Sequence, residues 1–203
     1  REALMKATEG PDSPIDGRRA RGQANRSKLV AAMIELVREG TIAPTAEQVA
    51  LRAQVALRTV FRHFDDMESL YREINTEILQ QIIPLLSTPF AASDWRGRLE
   101  EAVDRRARLY ETILPFYTAT TALRHQSPYL QANQQSMMEL QKASLLRVLP
   151  QSVIEDQATL AALNLLLSVT AWYQMRQEQG LDLATARQAI LVASRALTAS
   201  FKD

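Results

Sequence analysis

The chain has 203 residues, with 24 Lys and Arg against 23 Asp and Glu, and it contains no cysteine. This excludes a disulfide framework and a thiolate metal site, and no apolar run reaches membrane-spanning length. Six glycines and little Val/Ile/Thr alternation point to an all-α protein, of one large helical domain or two small ones. No hydrophobic signal segment opens the sequence, so a cytoplasmic protein without a membrane partner is expected.

The net charge of +1 hides an asymmetry. Arg18, Arg19, Arg21, Arg26, Lys28, Arg38, Arg52, Arg58 and Arg62 fall between Gly17 and His63, where only Glu35, Glu39 and Glu47 oppose them. A basic end on a neutral body fits nucleic-acid binding. Residues 1–20 carry Gly10-Pro11 and Pro14 without periodicity, and read as disordered or as a basic arm. Arg1 points to an N-terminus that begins elsewhere or has been trimmed. Arg18, Arg19 and Arg21 could enter a minor groove or stay solvated.

Residues 21–72 read as a three-helix unit. The first helix is expected from Asn25 to Glu39, with Leu29, Met33 and Leu36 on one face, and Gly40 ends it. Thr45 and Gln48 form a capping box for the second helix, whose small face is Val49, Ala50 and Ala53. After a break at Gln54 and Val55, a third short helix turns Val60 and Phe64 inward. Its other faces carry Leu57, Arg58, Thr59, Phe61, Arg62 and His63, a donor-rich set of a size that fits a major groove. Asp65 or Asp66 can cap a fourth helix with Leu70, Ile74, Ile78 and Ile82 inward, which Pro84 should stop.

This stretch, Thr45 to Tyr71, resembles the helix-turn-helix of TetR-type transcriptional regulators. Thr45, Val49, Ala50, Ala53, Val55, Thr59, Val60, His63, Phe64 and Leu70 fall on that frame. The resemblance implies that Thr45, Thr59 and His63 meet phosphates, while Leu57, Arg58 and Arg62 meet base edges. Four positions depart from the pattern. Gln54 stands where the turn glycine is usual, Ala56 replaces a capping serine, Phe61 replaces a tyrosine and Met67 replaces a lysine. Each is expected to weaken the frame or its backbone contacts without removing it.

Residues 73–203 read as a helical effector-binding and dimerisation domain, for about nine helices in all. Asp94 starts a strongly amphipathic helix through Leu99, Val103, Tyr110 and Leu114, which Pro115 should break or kink. Ser127-Pro128 is a clean restart. Ser152 and Glu155 make a further capping box, and the segment Ala158 to Met175 carries no charge at all. Gly180 ends it, and Asp182 opens a last helix to about Phe201. The uncharged segment is too apolar for one buried face and too short for a bilayer. Either it is buried wholly within one subunit or a second copy covers it. The TetR-type resemblance implies a homodimer, for which Leu163, Leu166, Trp172, Ile190, Ala193 and Leu197 are the expected contacts.

Aromatics and polar groups interleave along the middle helices. Tyr110, Leu114, Tyr117, Thr121, Met137 and Gln141 are the expected lining of a small-molecule pocket. Sparse charge on the inward faces suggests a mainly apolar effector. Glu100, Glu101 and Asp104 alternate with arginines on what reads as an exposed face, where ion pairs account for them. No phosphate loop, metal spacing or catalytic constellation is found, so neither enzyme nor cofactor is expected. The reading is a ligand-responsive regulator of double-stranded DNA, a repressor on a palindromic operator. Its rival is a helical protein-interaction module that has kept the scaffold and lost DNA binding.

Overall fold

In the computed structural model, residues 14–202 are described, and they form ten α-helices with no strand among them. Two compact units emerge. The first runs to Glu39 and resumes over Pro44–Ile74; the second comprises Gly40–Ala43 and everything from Asn75 onward. The expectation for residues 1–13 lies outside the described residues.

The first unit contains α1 (Pro14–Arg38), α2 (Ala46–Arg52), α3 (Leu57–His63) and the opening of α4 (Met67–Ser87). α1 starts eleven residues before the expected Asn25, so the stretch from Pro14 to Ala20 that read as an arm is helical. Pro is tolerated in a first turn, and the Arg and Ala that follow are good helix formers. Leu29, Met33 and Val37 of α1 are almost fully buried, as are Val49, Val60 and Leu70, and α1 packs on α2 and α3. Gly40 has φ +97°, the left-handed end that a helix stop of this kind requires.

The α2–α3 turn is set by local bonds. Thr45 Oγ1 accepts from Gln48 N at 3.3 Å and Gln48 Oε1 accepts from Thr45 N at 2.9 Å, the reciprocal cap anticipated for α2. At the other end, Val55 N donates to Ala50 O and Gln54 N to Leu51 O, the two bonds of a Schellman stop. Gln54 holds its left-handed position at φ +57°, so a side chain occupies the site that suits glycine. Ala56 opens α3 without a side-chain cap. Asp66 Oδ1 accepts from Ser69 N at 2.7 Å and so starts α4.

Pro84 does not stop α4, which runs on to Ser87. One more turn is held because Ser87 Oγ donates to Ile83 O and Thr88 Oγ1 to Pro84 O, satisfying late carbonyls. Pro115 likewise lies inside α5 (Trp95–Leu123), which continues eight residues past it. Burial of Phe116 and Ala119 beyond the proline favours keeping that last stretch helical.

α5 carries the core of the second unit. Leu99, Val103, Tyr110, Ile113 and Leu114 are buried along it. α6 (Pro128–Leu146) opens with Ser127 accepting from Leu130 N and Pro128 at the first position, as its sequence signalled. The Ser152 capping box does not form: α7 (Gln151–Glu155) begins after Pro150, and Asp156 instead caps α8 (Gln157–Leu166) through Thr159 N. The uncharged segment is not one helix. It breaks at Leu167, restarts as α9 (Val169–Tyr173) under a Ser168 cap, and loosens into a π segment over Gln174–Glu178. Gly180 at φ +67° ends it, and Asp182 caps α10 (Leu183–Thr198). α10 packs on α5 and α8. Asp104–Arg187 at 2.6 Å and Glu100–Arg195 at 2.8 Å tie α5 to α10, while Glu101 pairs along α5 with Arg105 at 3.6 Å.

Candidate nucleic-acid interface and ligand cavity

α3 has one buried anchor and one open face. Val60 is 1% exposed, whereas Leu57, Arg58, Phe61 and Arg62 are exposed and, at spacings of one, three and four residues, share a side of the helix. Arg58 and Arg62 form no ion pair among the described residues. Thr45 is exposed at the cap of α2, and Thr59 is half-buried.

The remaining arginines of this unit divide by partner. Arg26 on α1 binds Glu73 through two bonds, Nε to Oε1 at 3.2 Å and Nη2 to Oε2 at 2.7 Å. Its Nη1 donates to His63 O, and its guanidinium lies 4.5 Å from the Phe64 ring centroid. One side chain of α1 thus clamps the end of α3 to α4, a role the charge count did not reveal. Arg52 pairs with Glu39 at 2.6 Å and Glu35 at 3.4 Å, which uses two of the unit's few acidic residues. Arg19, Arg21 and Lys28 are exposed on α1.

His63 differs from a simple phosphate partner. It is half-buried, and its Nε2 is enclosed without a hydrogen-bond partner. Burial, aided by the nearby charges of Arg62 and Arg26, pushes the imidazole pKa below its ordinary value. The ring is therefore neutral near pH 7 and adds no cation to the face.

In the second unit, a cavity of about 320 Å³ opens between α4, α5 and α6. Tyr110, Met137 and Gln141 of the expected lining are on its wall. Leu114, Tyr117 and Thr121 are not: Leu114 is buried in the core, Tyr117 Oη bonds Thr170 Oγ1 at 3.0 Å, and Thr121 is exposed. The sequence reading of an apolar wall missed three arginines, Arg105, Arg106 and Arg147. Arg105 donates to the Thr88 and Pro89 carbonyls and stacks 3.9 Å from the Phe90 ring centroid.

Arg106 is only 8% exposed and has no carboxylate partner. Its Nη1 donates to Leu167 O at 2.8 Å, and its Nη2 to Gln141 O at 2.7 Å and Ser144 Oγ at 2.8 Å. The break after α8 is what exposes the Leu167 carbonyl at a helix end, where the dipole favours a cation. Tyr110 Oη donates to the same carbonyl, and burial pushes its pKa up to about 12. A sequence signal for Arg106 existed: it stands seven residues after Leu99 and four before Tyr110, on the apolar stripe itself.

The expected dimer residues fall into two groups. Leu163, Trp172 and Ile190 are buried by their own chain, and Trp172 Nε1 donates to Glu111 Oε1 at 2.8 Å. Leu166, Ala193 and Leu197 are half-buried. The open faces of α8 and α10 instead carry Ala158, Ala161 and Leu165, and Ala189, Val192 and Ala196.

Fold and site together define an all-α protein in which a helix-turn-helix unit precedes a helical unit with an internal cavity. Two solved structures are similar in fold. One is SCO7518 of Streptomyces coelicolor A3(2), assigned as a transcriptional regulator, with TM-score 0.62 and 20% identity over 87% of this chain and 99% of that one. The other is the transcriptional regulator RHA1_ro04179 of Rhodococcus sp. Rha1, with TM-score 0.63 and 16% identity over 86% and 96%. At such identities the likeness establishes the fold. No family model matches the chain, and no curated protein does. Among the described residues, no helix is long and apolar enough to cross a membrane, and no cluster of His, Asp and Glu could hold a metal ion.

Proposed function

We propose that the chain is a DNA-binding transcriptional regulator similar to TetR-type proteins, a repressor that sits on a palindromic operator as a homodimer and is released by a small-molecule effector. One observation carries this reading. The open face of α3 presents Arg58 and Arg62 without an ion-pair partner among the described residues, whereas Arg26 and Arg52 of the same unit are consumed by carboxylates. Leu57 and Phe61 flank the two arginines and supply apolar contact of the kind a thymine methyl accepts. Thr45 and Thr59 supply hydroxyls at the edge of the face for phosphates. The two regulators of like fold add support.

Dimerisation follows from what α8 and α10 leave uncovered. Alanines, Leu165 and Val192 form an exposed face of small apolar residues, well suited to close packing against its symmetry mate. Leu166, Ala193 and Leu197 border it, while Leu163, Trp172 and Ile190 act by supporting it from inside. A single α3 reads few bases, so two copies on two half-sites are required for specificity. Effector binding favours a state of the dimer with lower operator affinity, and the two affinities change by one coupling free energy.

The competing reading is a protein-interaction module on the same scaffold. It is favoured by Leu51 and Phe61, 80% and 53% exposed, and by the strained Gln54 turn. Selection of bound sites from a random DNA pool at moderate salt separates the two. An enriched palindrome is the expected outcome; salt-sensitive binding without enrichment, or none, favours the module.

A further inference from the structure

We propose that the cavity of the second unit takes a small organic acid, its carboxylate held by Arg106, Gln141 and Arg147 and its apolar body lying against Ile82, Leu86 and Leu109. The proposal rests on the reading of this cavity as the effector site and replaces the mainly apolar effector expected from sequence.

Three arginines and no acidic residue line the cavity. Of these, Arg105 pairs with Glu101 at 3.6 Å, and elsewhere in the unit Arg176, Arg187 and Arg195 each hold a carboxylate within 2.8 Å. Arg106 is the most enclosed of the lining arginines and binds neutral acceptors only. Burying a guanidinium without an anion is costly, and a fold keeps such a charge only if something repays it.

The fold does not need Arg106 to satisfy its carbonyls. Leu167 O also accepts from Tyr110 Oη at 2.7 Å, and Gln141 O also accepts from Ser144 Oγ at 2.8 Å. A guanidinium carries five N–H groups. Three are bonded here, which leaves Nε–H and one hydrogen of Nη1 for an incoming anion. A second donor waits beside it: Gln141 is 9% exposed and its side-chain Nε2 is buried without a partner. Arg147, exposed at the wall, adds a further cation.

Most of the remaining wall is apolar, with Ile82, Leu86, Phe90, Leu109, Met137 and Leu140 beside the hydroxyls of Thr88, Tyr110 and Ser144, which sets the body of the ligand as mainly apolar. A cavity of about 320 Å³ accommodates a medium-chain or single-ring carboxylic acid. Cations without a carboxylate on the wall, a free amide donor and an apolar remainder together describe the complement of one carboxylate on a hydrophobic stem.

The test uses the full chain, by thermal shift and calorimetry. Octanoate and phenylacetate are compared with octanamide and phenylacetamide, which match them in shape and lack the charge, and with inorganic phosphate. The acids are expected to bind at least tenfold more tightly than the amides. In Arg106→Met this preference should vanish while the melting temperature of the free protein stays the same or rises, because no carbonyl is orphaned. A merely structural arginine would instead lower it. Should Arg106→Met fail to fold, Arg106→Lys and Arg147→Gln carry the test, and each should weaken the acids without touching the amides. Equal binding of acid and amide, phosphate binding as tight as the acids, or an acid preference that survives these substitutions overturns the proposal. DNA retention measured in parallel separates it from the regulator reading. Acid preference without any DNA binding leaves the cavity assignment standing and removes the regulator. Operator binding without acid preference does the reverse.

Discussion

The arginines of α3 and those of the cavity wall are the same residue put to opposite environments. Arg58 and Arg62 stand in solvent with no ion pair among the described residues, at little cost to the fold. Arg106 is buried among carbonyls and a hydroxyl, where its charge is expensive. Between them lies a larger set that only builds the scaffold: Arg26 with Glu73, Arg52 with Glu39, Arg176 with Glu111, Arg187 with Asp104. Carboxylate pairing, more than exposure, separates scaffold arginines from those left for a ligand.

The comparison breaks most visibly at α3. Arg58→Ala with Arg62→Ala should cost about 1–3 kcal/mol of operator affinity for each residue that holds a base. Stability should stay within about 0.5 kcal/mol, as for other open surface sites. Anisotropy titration on the selected operator and urea melts read the two quantities. Unchanged affinity would remove α3 from the reading surface. The opposite profile is expected at Arg26. Arg26→Met deprives Glu73 of its partner, uncovers the Phe64 ring and frees the His63 carbonyl. Because the pair is only half-buried, the loss should be modest, about 1–2 kcal/mol of stability. Operator affinity should fall only as far as the unit loosens. A dimer face of small apolar residues is tested by Val192→Glu, which should shift the chain toward monomer in light scattering and weaken operator binding with it. A persistent dimer would move the interface elsewhere.

Gln54→Gly is expected to act in the other direction and by about 1 kcal/mol, since φ +57° costs a side chain what it does not cost glycine. Higher thermal stability with unchanged site preference would show that the turn is merely strained. Altered preference would show that the Gln54 side chain takes part in recognition.

What could be read in the sequence was mostly local. The Thr45–Gln48 cap, the Gly40 and Gly180 stops, the Ser127-Pro128 restart and the Asp182 cap each depend on a few neighbouring residues, and each forms. Misreadings arose where distant packing outweighs local chemistry. Pro84 and Pro115 fail to end their helices because the turns beyond them are held by side-chain bonds or burial. The uncharged segment breaks at Ser168, whose hydroxyl accepts from Ala171 N, a cap concealed within an apolar run. Arg106 is hidden in the sequence because Glu100, Glu101 and Asp104, alternating with arginines, suggest an exposed face, although its spacing from Leu99 places it inside. Which side of α8 and α10 remains open depends on contacts that periodicity does not encode. Hence Leu163 and Ile190 lie within the subunit while Leu165 and Val192 lie outside.

The smallest expected effect belongs to His63, and it turns on sign. Burial and two neighbouring guanidinium groups hold its folded pKa below the ordinary 6.5. Well above pH 6.5 the ring is neutral in both folded and unfolded chains, so it adds no pH dependence there. As pH falls below 6.5 the unfolded chain takes up the proton first, and stability declines until the pH passes the lowered folded value. The carboxylates of Glu39 and Glu73 are held below their ordinary value by arginine and titrate in a more acid range. Urea melts at pH 7.5 and 5.5 should therefore show a loss in the wild type that His63→Gln reduces, the effect being slight because the ring is only half-buried. Equal losses in both proteins would place the acid sensitivity elsewhere. The same neutrality bears on DNA: His63→Gln should leave the salt dependence of operator binding unchanged at pH 7.5, whereas loss of Arg58 or Arg62 at a phosphate should lower its slope by about one.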